Sequence, residues 1–501
     1  MVIPVYILEL LQKLEKKGFE AYIVGGCVRD FLLGREPQDW DLTTNATPEE
    51  ILAVFPEGKY ENQFGTVLLP LRKLPDNSGK GELIDVIEIT TYRSEQGYSD
   101  RRHPDEVLFE TEIDKDLERR DFTINALALR LAVKGQELKA HRELLEIDDK
   151  SYELVDLFRG RRDLKDKIIR AVGEPTERFK EDALRMMRAI RFSSQLGFEI
   201  EAKTQRAILK LAGAVKFVSK ERVRDELVKI IKSGRPAAGI RLMHDCKLLQ
   251  YIIPELEEGV AMDQNHHHIY QVFDHNVNTL KHCPSADWQV RLAGLFHDIG
   301  KPKTRKFIDG AATFYNHEYV GARQVERIMK RLKFSTDDSL RVVNLVKNHM
   351  FYYNVGEVTA ASVRRLIVKV GRENLKDLID LRIADRLGSG TPKGMPYKLR
   401  HLEYMLEKVQ NDPISVKMLA VNGYSLMSEL KLEPGPKIGA ILDVLLSEVI
   451  EDPELNKKDY LLEKARQLES FNLAELREQA REKIDSRREE DDNDLKKSFH
   501  V

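Results

Sequence analysis

The chain has 501 residues, with 81 Lys and Arg against 83 Asp and Glu and a net charge of −2. That length exceeds what one hydrophobic core supports, so several domains are expected. The near-neutral balance excludes bulk-charge binding to polyanions and requires any nucleic-acid surface to be local, while no apolar run approaches the ~20 residues that a membrane-spanning helix needs.

The opening residues lack a basic region followed by an apolar core, so no signal peptide is expected. Cys27, Cys246 and Cys283 are unpaired by spacing, which suits a reducing cytoplasm. Residues 1–135 read as α/β. A helix is predicted over 6–18, then a strand over 20–24 that runs into Gly25 and Gly26. A helix bearing Arg29 and Asp30 follows, and then a second strand bearing Asp39 and Asp41. Side chains at i and i+2 on a strand share a face, so the two acids project together. Converging carboxylates repel unless a divalent cation sits between them, and Mg²⁺ is the usual choice beside phosphates. The glycines let backbone N–H groups approach a phosphate at a helix start. This combination points to a nucleoside-triphosphate site for metal-assisted nucleotidyl transfer.

Thr47-Pro48-Glu49-Glu50 reads as a helix start, with Thr47 as cap and Glu50 reaching back. Strands are predicted at Thr66–Leu71 and Leu83–Thr91, around a turn-rich loop at Pro75–Gly81. Glu88, on the second of these strands, is the candidate third carboxylate. Residues 92–114 read as polar and strand-poor, and 116–131 as helical. From about 155 onward helices dominate. One long amphipathic helix is predicted over Pro175–Leu196, with Phe179, Ala183, Met187 and Ile190 on its apolar stripe. Another is expected over Lys220–Lys232, then a His-rich helical block over 265–400 and further helices after Pro413. The charged stretch near 485–497 is expected to fray.

Four stretches follow one another in a telling order: Gly25-Gly26-Cys27-Val28-Arg29-Asp30 with Asp39-Trp40-Asp41; Arg119-Arg120-Asp121-Phe122-Thr123-Ile124-Asn125-Ala126; Glu181-Asp182-Ala183-Leu184-Arg185; and Ser219-Lys220-Glu221-Arg222. Together they resemble the catalytic, ribose-recognition, base-reading and following helical motifs of class II tRNA nucleotidyltransferases, the family of CCA-adding enzymes and bacterial poly(A) polymerases. The resemblance covers residues 1–235. It implies catalysis by Asp39 and Asp41 with Mg²⁺, and a nucleotide site built from Gly25, Gly26, Arg29, Arg120, Asp121, Asn125, Asp182, Arg185 and Arg188. Asp182 and Arg185, at i and i+3 on a helix, can point to one spot. An acid acceptor and a guanidinium donor can together hydrogen-bond the Watson–Crick edge of C, or of A after a small adjustment. The plainer alternative is an ion pair between Glu181 and Arg185. Both hold if Glu181 orients Arg185. The stretch from Tyr92-Arg93-Ser94-Glu95 to Asp100-Arg101-Arg102-His103-Pro104 resembles the flexible loop that the family needs for the final A.

A second set comprises His275, His297-Asp298 within Gly294–Pro302, His317, His349 and Asp385. It resembles the HD-type metal phosphohydrolases. Imidazole with carboxylate suits Mn, Ni, Co, Fe or Zn. The resemblance implies one metal held by His275, His297, Asp298 and Asp385, and a second held by His317 and His349 with Asp298 bridging. His266, His267 and His268 read as structural. The Pro434–Gly439 turn before a helix offers Lys437 either to an RNA phosphate or to an ordinary interhelical loop.

The expected fold class is α+β: a polymerase-β-type nucleotidyltransferase head (1–150), then an all-helical neck (151–250), HD domain (251–400) and tail (401–484), with 485–501 disordered. The expected function is template-independent addition of CCA, from CTP and ATP, to tRNA, with a phosphohydrolase activity on tRNA 3′ phosphate ends. The alternatives are an A-adding enzyme, a bacterial poly(A) polymerase, and, from another class, a metal phosphohydrolase with a nucleotide-binding regulatory head. No membrane partner is expected, and the oligomeric state is left open.

Overall fold

A computed structural model describes residues 2–37, 39–62, 65–72, 83–97, 106–131, 144–146, 151–264, 269–308, 311–358, 360–410, 416–451 and 455–478. The expectations for Pro75–Gly81, Asp100–Pro104, His266–His268 and the charged end at 485–501 lie outside the described residues. The chain forms two compact units, Met1–Val346 with Gly388–Gly390, and Lys347–Leu387 with Thr391–Val501.

The first unit opens on a seven-stranded sheet. Its spatial order is Tyr152–Val155, Ala128–Leu131, Ala21–Val24, Asp41–Thr44, Leu83–Thr91, Thr66–Arg72, Lys59–Asn62. Ala21–Val24 is buried at every position, as an uninterrupted apolar run in a central strand should be. Asp41–Thr44 and Leu83–Thr91 run parallel, with Asp41 opposite Glu88 and Leu42 opposite Ile89; the other neighbours are antiparallel. Helix Val5–Lys16 lays Ile7, Leu8, Leu10, Leu11 and Leu14 into the core. Helix Pro48–Val54 starts as expected. Glu50 N–H donates to Thr47 Oγ1 (3.4 Å) and Thr47 N–H to Glu50 Oε2 (2.8 Å).

Four expectations need correction. The strand begins at Asp41, so Asp39 lies just before it and is exposed. Residues 116–131 are not one helix. Helix Ile113–Glu118 gives way to a 3₁₀ turn at Thr123–Asn125 and strand Ala128–Leu131. Asp121 Oδ1 accepts from the Phe122 N–H (2.8 Å), a local bond that competes with helix continuation. The stretch read as strand-poor holds an antiparallel pair, Arg93–Gln96 with Glu106–Phe109. Its polar residues hide the alternation, and Ser94 Oγ bonds across to Glu110 (2.5 Å). Finally, the long helix is two, Pro175–Glu181 and Leu184–Leu196, broken at Asp182 (φ −140°, ψ 107°). Asp182 Oδ1 accepts from the Leu184 N–H (3.0 Å) and so starts the second helix. The stripe Phe179, Ala183, Met187, Ile190 is nonetheless fully buried, since the break preserves the apolar face.

Helix Lys220–Lys232 forms as expected, and helices Val272–His282, Trp288–Phe296 and His317–Arg331 follow. A short antiparallel hairpin, Lys306–Ile308 with Ala311–Thr313, interrupts the helical block. The second unit is helical. Helices Gly423–Leu430, Pro436–Glu451 and Lys458–Leu468 share a core around Leu426, Ile441, Leu445, Leu461 and Ala465. Lys437 Nζ donates to the Glu469 carbonyl (2.6 Å), tying that turn to its own helical core. Among the described residues, no helix is long and apolar enough to cross a membrane. The α+β class is therefore as expected, a sheet-containing head followed by helices.

Thr47 lies on the sheet's periphery and caps one helix only. Thr47→Ala should lower stability by about 1 kcal/mol in urea or thermal melts, with nucleotide incorporation unchanged.

Candidate active site

The strand-to-helix turn at Gly25 sets the site. Gly25 has φ +84°, and a Cβ there would lie 2.9 Å from Arg120 Nη1 and 3.7 Å from Asp41 Oδ2. Only glycine combines that backbone with that proximity. Helix Gly26–Leu32 then places Arg29, whose Nη1 donates to Asn125 Oδ1 (2.8 Å) while Nε and Nη2 grip Asp30 (2.9 and 2.7 Å).

Asp39 and Asp41 flank the buried Trp40 and border a cleft of about 520 Å³. Burial, and then the charge of Asp39, raise the Asp41 carboxyl above its ordinary value, with Arg120 pulling the other way. Glu88, facing Asp41 from the adjacent parallel strand, is raised by burial and then by Asp41, Glu61 and Asp39. Asp41 and Glu88, both raised with Asp39 beside them, make an oxygen donor set whose repulsion a hard divalent cation would relieve. Burial pushes the nearby Cys27 thiol up to about 12, so the available donors are oxygens, which fits Mg²⁺.

The same cleft gathers the predicted nucleotide residues Gly25, Gly26, Arg29, Arg120, Asp121 and Asn125, and beside them Asp182, Arg185 and Arg188. Asp121 is buried. Its Oδ1 accepts from Asn125 Nδ2 (3.1 Å) and its Oδ2 from Arg188 Nε (2.6 Å). Burial favours its neutral form, but the Arg188 charge and these bonds outweigh burial and hold the carboxyl below its usual value. Asp182 and Arg185 border one cleft although they do not share a helix. Asp182 is clasped by Arg222 (Nη2 to Oδ2, 2.6 Å; Nη1 to Oδ1, 3.2 Å). Arg185 donates to Glu181 (2.5 Å), to the Arg178 carbonyl (3.2 Å) and to the Arg119 carbonyl (3.1 Å). The ion pair between Glu181 and Arg185 therefore forms, and it spans the helix break.

Sequence reasoning missed the anchors. Asp116 is fully buried and binds Arg119 (2.7 Å) and Arg120 (3.0 Å). Those arginines stand at i+3 and i+4 from an acid on a helix, a spacing that could have identified it. Arg119 also meets Glu95 (3.1 Å), and Glu95 meets Arg93 (3.0 Å). The Phe192 ring lies under three guanidiniums, Arg191 at 4.2 Å, Arg29 at 5.1 Å and Arg188 at 5.4 Å.

A second cluster lies elsewhere in the first unit. His275, His297, Asp298 and His317 are all buried. His275 Nε2 lies 2.9 Å from His297 Nε2 and 3.2 Å from Asp298 Oδ2, and His317 Nε2 lies 3.1 Å from Asp298 Oδ1. His297 and His317 each turn Nδ1 to a backbone carbonyl, Gly294 and Phe314 (both 2.8 Å), which aims Nε2 inward. A Cβ at Gly300 would sit 2.2 Å from the His317 carbonyl oxygen, so that glycine is what lets helix His317–Arg331 close on the His-Asp pair. The imidazole-and-carboxylate donor set fits a transition metal. Lys301 also pairs with Asp298 (2.6 Å). His349 and Asp385 belong to the second unit; His349 is buried, and Asp385 pairs with Arg382 (2.8 Å).

Because Arg120 opposes the upward shift of Asp41, Arg120→Ala should raise the Asp41 pKa further. Carboxyl NMR titration of the metal-free protein reads the shift, and a fall would contradict a stabilising charge from Arg120. Asp116, held below its ordinary value despite burial by Arg119 and Arg120, contributes stability above the unfolded carboxyl pKa and loses it as pH falls through the folded one. Asp116→Asn should therefore flatten the acid limb of the stability profile, measured by urea melts across pH.

Among known proteins, a family model for the poly A polymerase head domain matches residues 21–170. A second, described as "Probable RNA and SrmB- binding site of polymerase A", matches 197–259, and a model for domain 2 of tRNA nucleotidyltransferase matches 311–465. The CCA-adding enzyme of Limosilactobacillus reuteri (strain DSM 20016) is 33% identical over 461 residues, spanning 92% of this chain and 95% of its own. The Bacillus stearothermophilus CCA-adding enzyme in complex with CTP aligns with a TM-score of 0.56 at 25% identity, covering 92% of this chain and 98% of that one. The Thermotoga maritima CCA-adding enzyme, solved with tRNA, shares the fold (TM-score 0.50, 20% identity, 93% and 96% coverage). With relatives at that identity over nearly their whole length, and with Asp39, Asp41, Asp182 and Arg185 lining one cleft, the chain belongs to the CCA-adding enzyme family of class II tRNA nucleotidyltransferases.

Proposed function

We propose that this chain adds C, C and A in turn to tRNA 3′ ends, using CTP and ATP, with Mg²⁺ held by Asp39 and Asp41 and with Glu88 opposite. The observation that supports this most is the shared cleft, in which crowded carboxylates and a pinned acid–guanidinium pair face one space. The metal would activate the attacking 3′-hydroxyl and offset charge on the departing pyrophosphate. Gly25 and Gly26 offer backbone N–H groups to the phosphates, and Arg29 and Arg120 add charge. Asp121, turned toward Arg188 and Asn125, accepts a ribose hydroxyl. Asp182 accepts from an exocyclic amine while Arg185 donates to the adjacent ring nitrogen. Cytosine and adenine both present that donor–acceptor order, whereas uracil and guanine reverse it and leave buried groups unpaired. Arg222 and Glu181 hold the two readers in place, so the protein does the work of a template strand.

We further propose that the head (1–150), neck (151–250), HD domain (251–400) and tail (401–484) divide the labour. His275, His297 and Asp298 would hold one transition metal, with His317 facing the other oxygen of Asp298. The inward-facing Nε2 atoms and the His-Asp contacts support hydrolysis of phosphate groups on tRNA 3′ ends there.

With CTP alone, a tRNA ending at the discriminator base should gain C, and ATP should extend only a CC end. No C from CTP, with A added only to the CC end, would favour the A-adding alternative, and A added to both ends the poly(A) polymerase. Asp41→Ala should abolish incorporation and keep phosphate release, and His297→Ala should do the reverse. Arg185→Ala should cut the preference for CTP over UTP by roughly 10–100-fold in kcat/KM, the worth of a charged hydrogen bond.

A further inference from the structure

The short hairpin Lys306–Ile308 and Ala311–Thr313 lies between the two segments that build the His–Asp cluster. It follows helix Lys301–Thr304, just after Asp298, and leads through Phe314 and Tyr315 to His317. Both ends are fixed at the cluster. Lys301 Nζ pairs with Asp298 and sits 5.5 Å from the Phe314 ring, and the Phe314 carbonyl faces His317 Nδ1. The hairpin is therefore a rim of the cluster by chain connection alone.

That rim is apolar where it should be polar. Phe307 is 66% exposed, Tyr315 is 71% exposed, and Ile308 and Tyr319 are exposed as well. A two-stranded hairpin has no core of its own to justify outward aromatics. A second segment reaches the same place, because Gln264 accepts from Lys301 Nζ (2.6 Å) and donates to the Tyr270 carbonyl (3.1 Å). Ile269 beside it is 74% exposed, and Tyr270 is exposed too. Two cations border Phe307. The Arg305 guanidinium stacks over Phe307 (4.8 Å), and Lys306 is exposed.

We propose that this rim is a stacking platform for the bases of a single-stranded RNA end, which presents its terminal phosphate to the His–Asp cluster. Separate aromatic faces interleaved with cations are the recognition chemistry of single-stranded nucleic acid, in which stacking tolerates any base and the cations follow the backbone. A protein partner would leave those cations without opposing acids, and a mononucleotide would use one ring of several. The substrate class follows: an RNA end of two or more unpaired nucleotides. The platform rests on the proposed phosphate chemistry of the cluster only for the substrate's orientation.

The test separates the two. The full-length protein is irradiated with an oligoribonucleotide carrying 4-thiouridine next to a 3′-terminal phosphate, and the cross-linked peptide is mapped. The expected cross-link falls within residues 301–319 or 269–272. The double variant Phe307→Ala, Tyr315→Ala, whose side chains are exposed and leave the fold intact, should lose about tenfold in cross-link yield. The same variant should raise KM for phosphate release from that RNA about tenfold at unchanged kcat, and leave release from p-nitrophenyl phosphate and CCA addition untouched. If the wild type cross-links there but releases no phosphate, the hydrolase reading falls and the platform stands. Cross-links confined to other parts of the chain, or an unchanged yield in the double variant, would overturn the platform, even with hydrolysis intact.

Discussion

The bond between Asp121 and Arg188 holds the cleft beside Gly25 in one shape. Asp121 sits on the turn that ends the sheet-side helix, and Arg188 lies on the helix that begins after the break at Asp182. A carboxylate and a guanidinium drawn out of water at 2.6 Å attract strongly, but either one alone would be costly. The pair therefore fixes the distance between the Asp121 turn beside the sheet and helix Leu184–Leu196. Asn125, held to the same carboxylate and to Arg29, extends that constraint to the glycine turn.

The cleft carries more guanidinium than carboxylate charge although the chain as a whole is nearly neutral. Arg29, Arg120, Arg188 and Arg191 each have an acidic partner, so the surplus is small. Burial depresses the Arg191 side chain to about 10, a sign of how far this face is removed from water. Positive side chains kept apart by their own acids, with Phe192 beneath three of them, are pre-arranged for an anion and need little rearrangement to receive it.

Much of this was legible in the residues. The glycine pair, Asp41, the strand carrying Glu88 and the Thr47 cap follow from rules that act over a few positions. What escaped was long-range or competitive. The helix break at Asp182 is invisible to periodicity, because the apolar stripe continues through it and its mark is a side-chain bond to the Leu184 N–H that starts the second helix. The turn at Asp121 fails as a predicted helix for the same reason. Asp116 carries a legible spacing to its two arginines, while Arg222 finds Asp182 from 40 positions away. The 306–313 hairpin, with few β-branched residues, had no strand pattern to detect.

The parallel pairing of Asp41–Thr44 with Leu83–Thr91 has a kinetic side. Parallel neighbours cannot be joined by a tight turn, and here the intervening chain must first lay down helix Pro48–Val54 and two further strands. A nascent chain halted before Leu83 would already carry both aspartates, yet lack the glutamate that faces them. The acidic centre is thus born late, and it assembles only when Leu83–Thr91 registers against Asp41–Thr44.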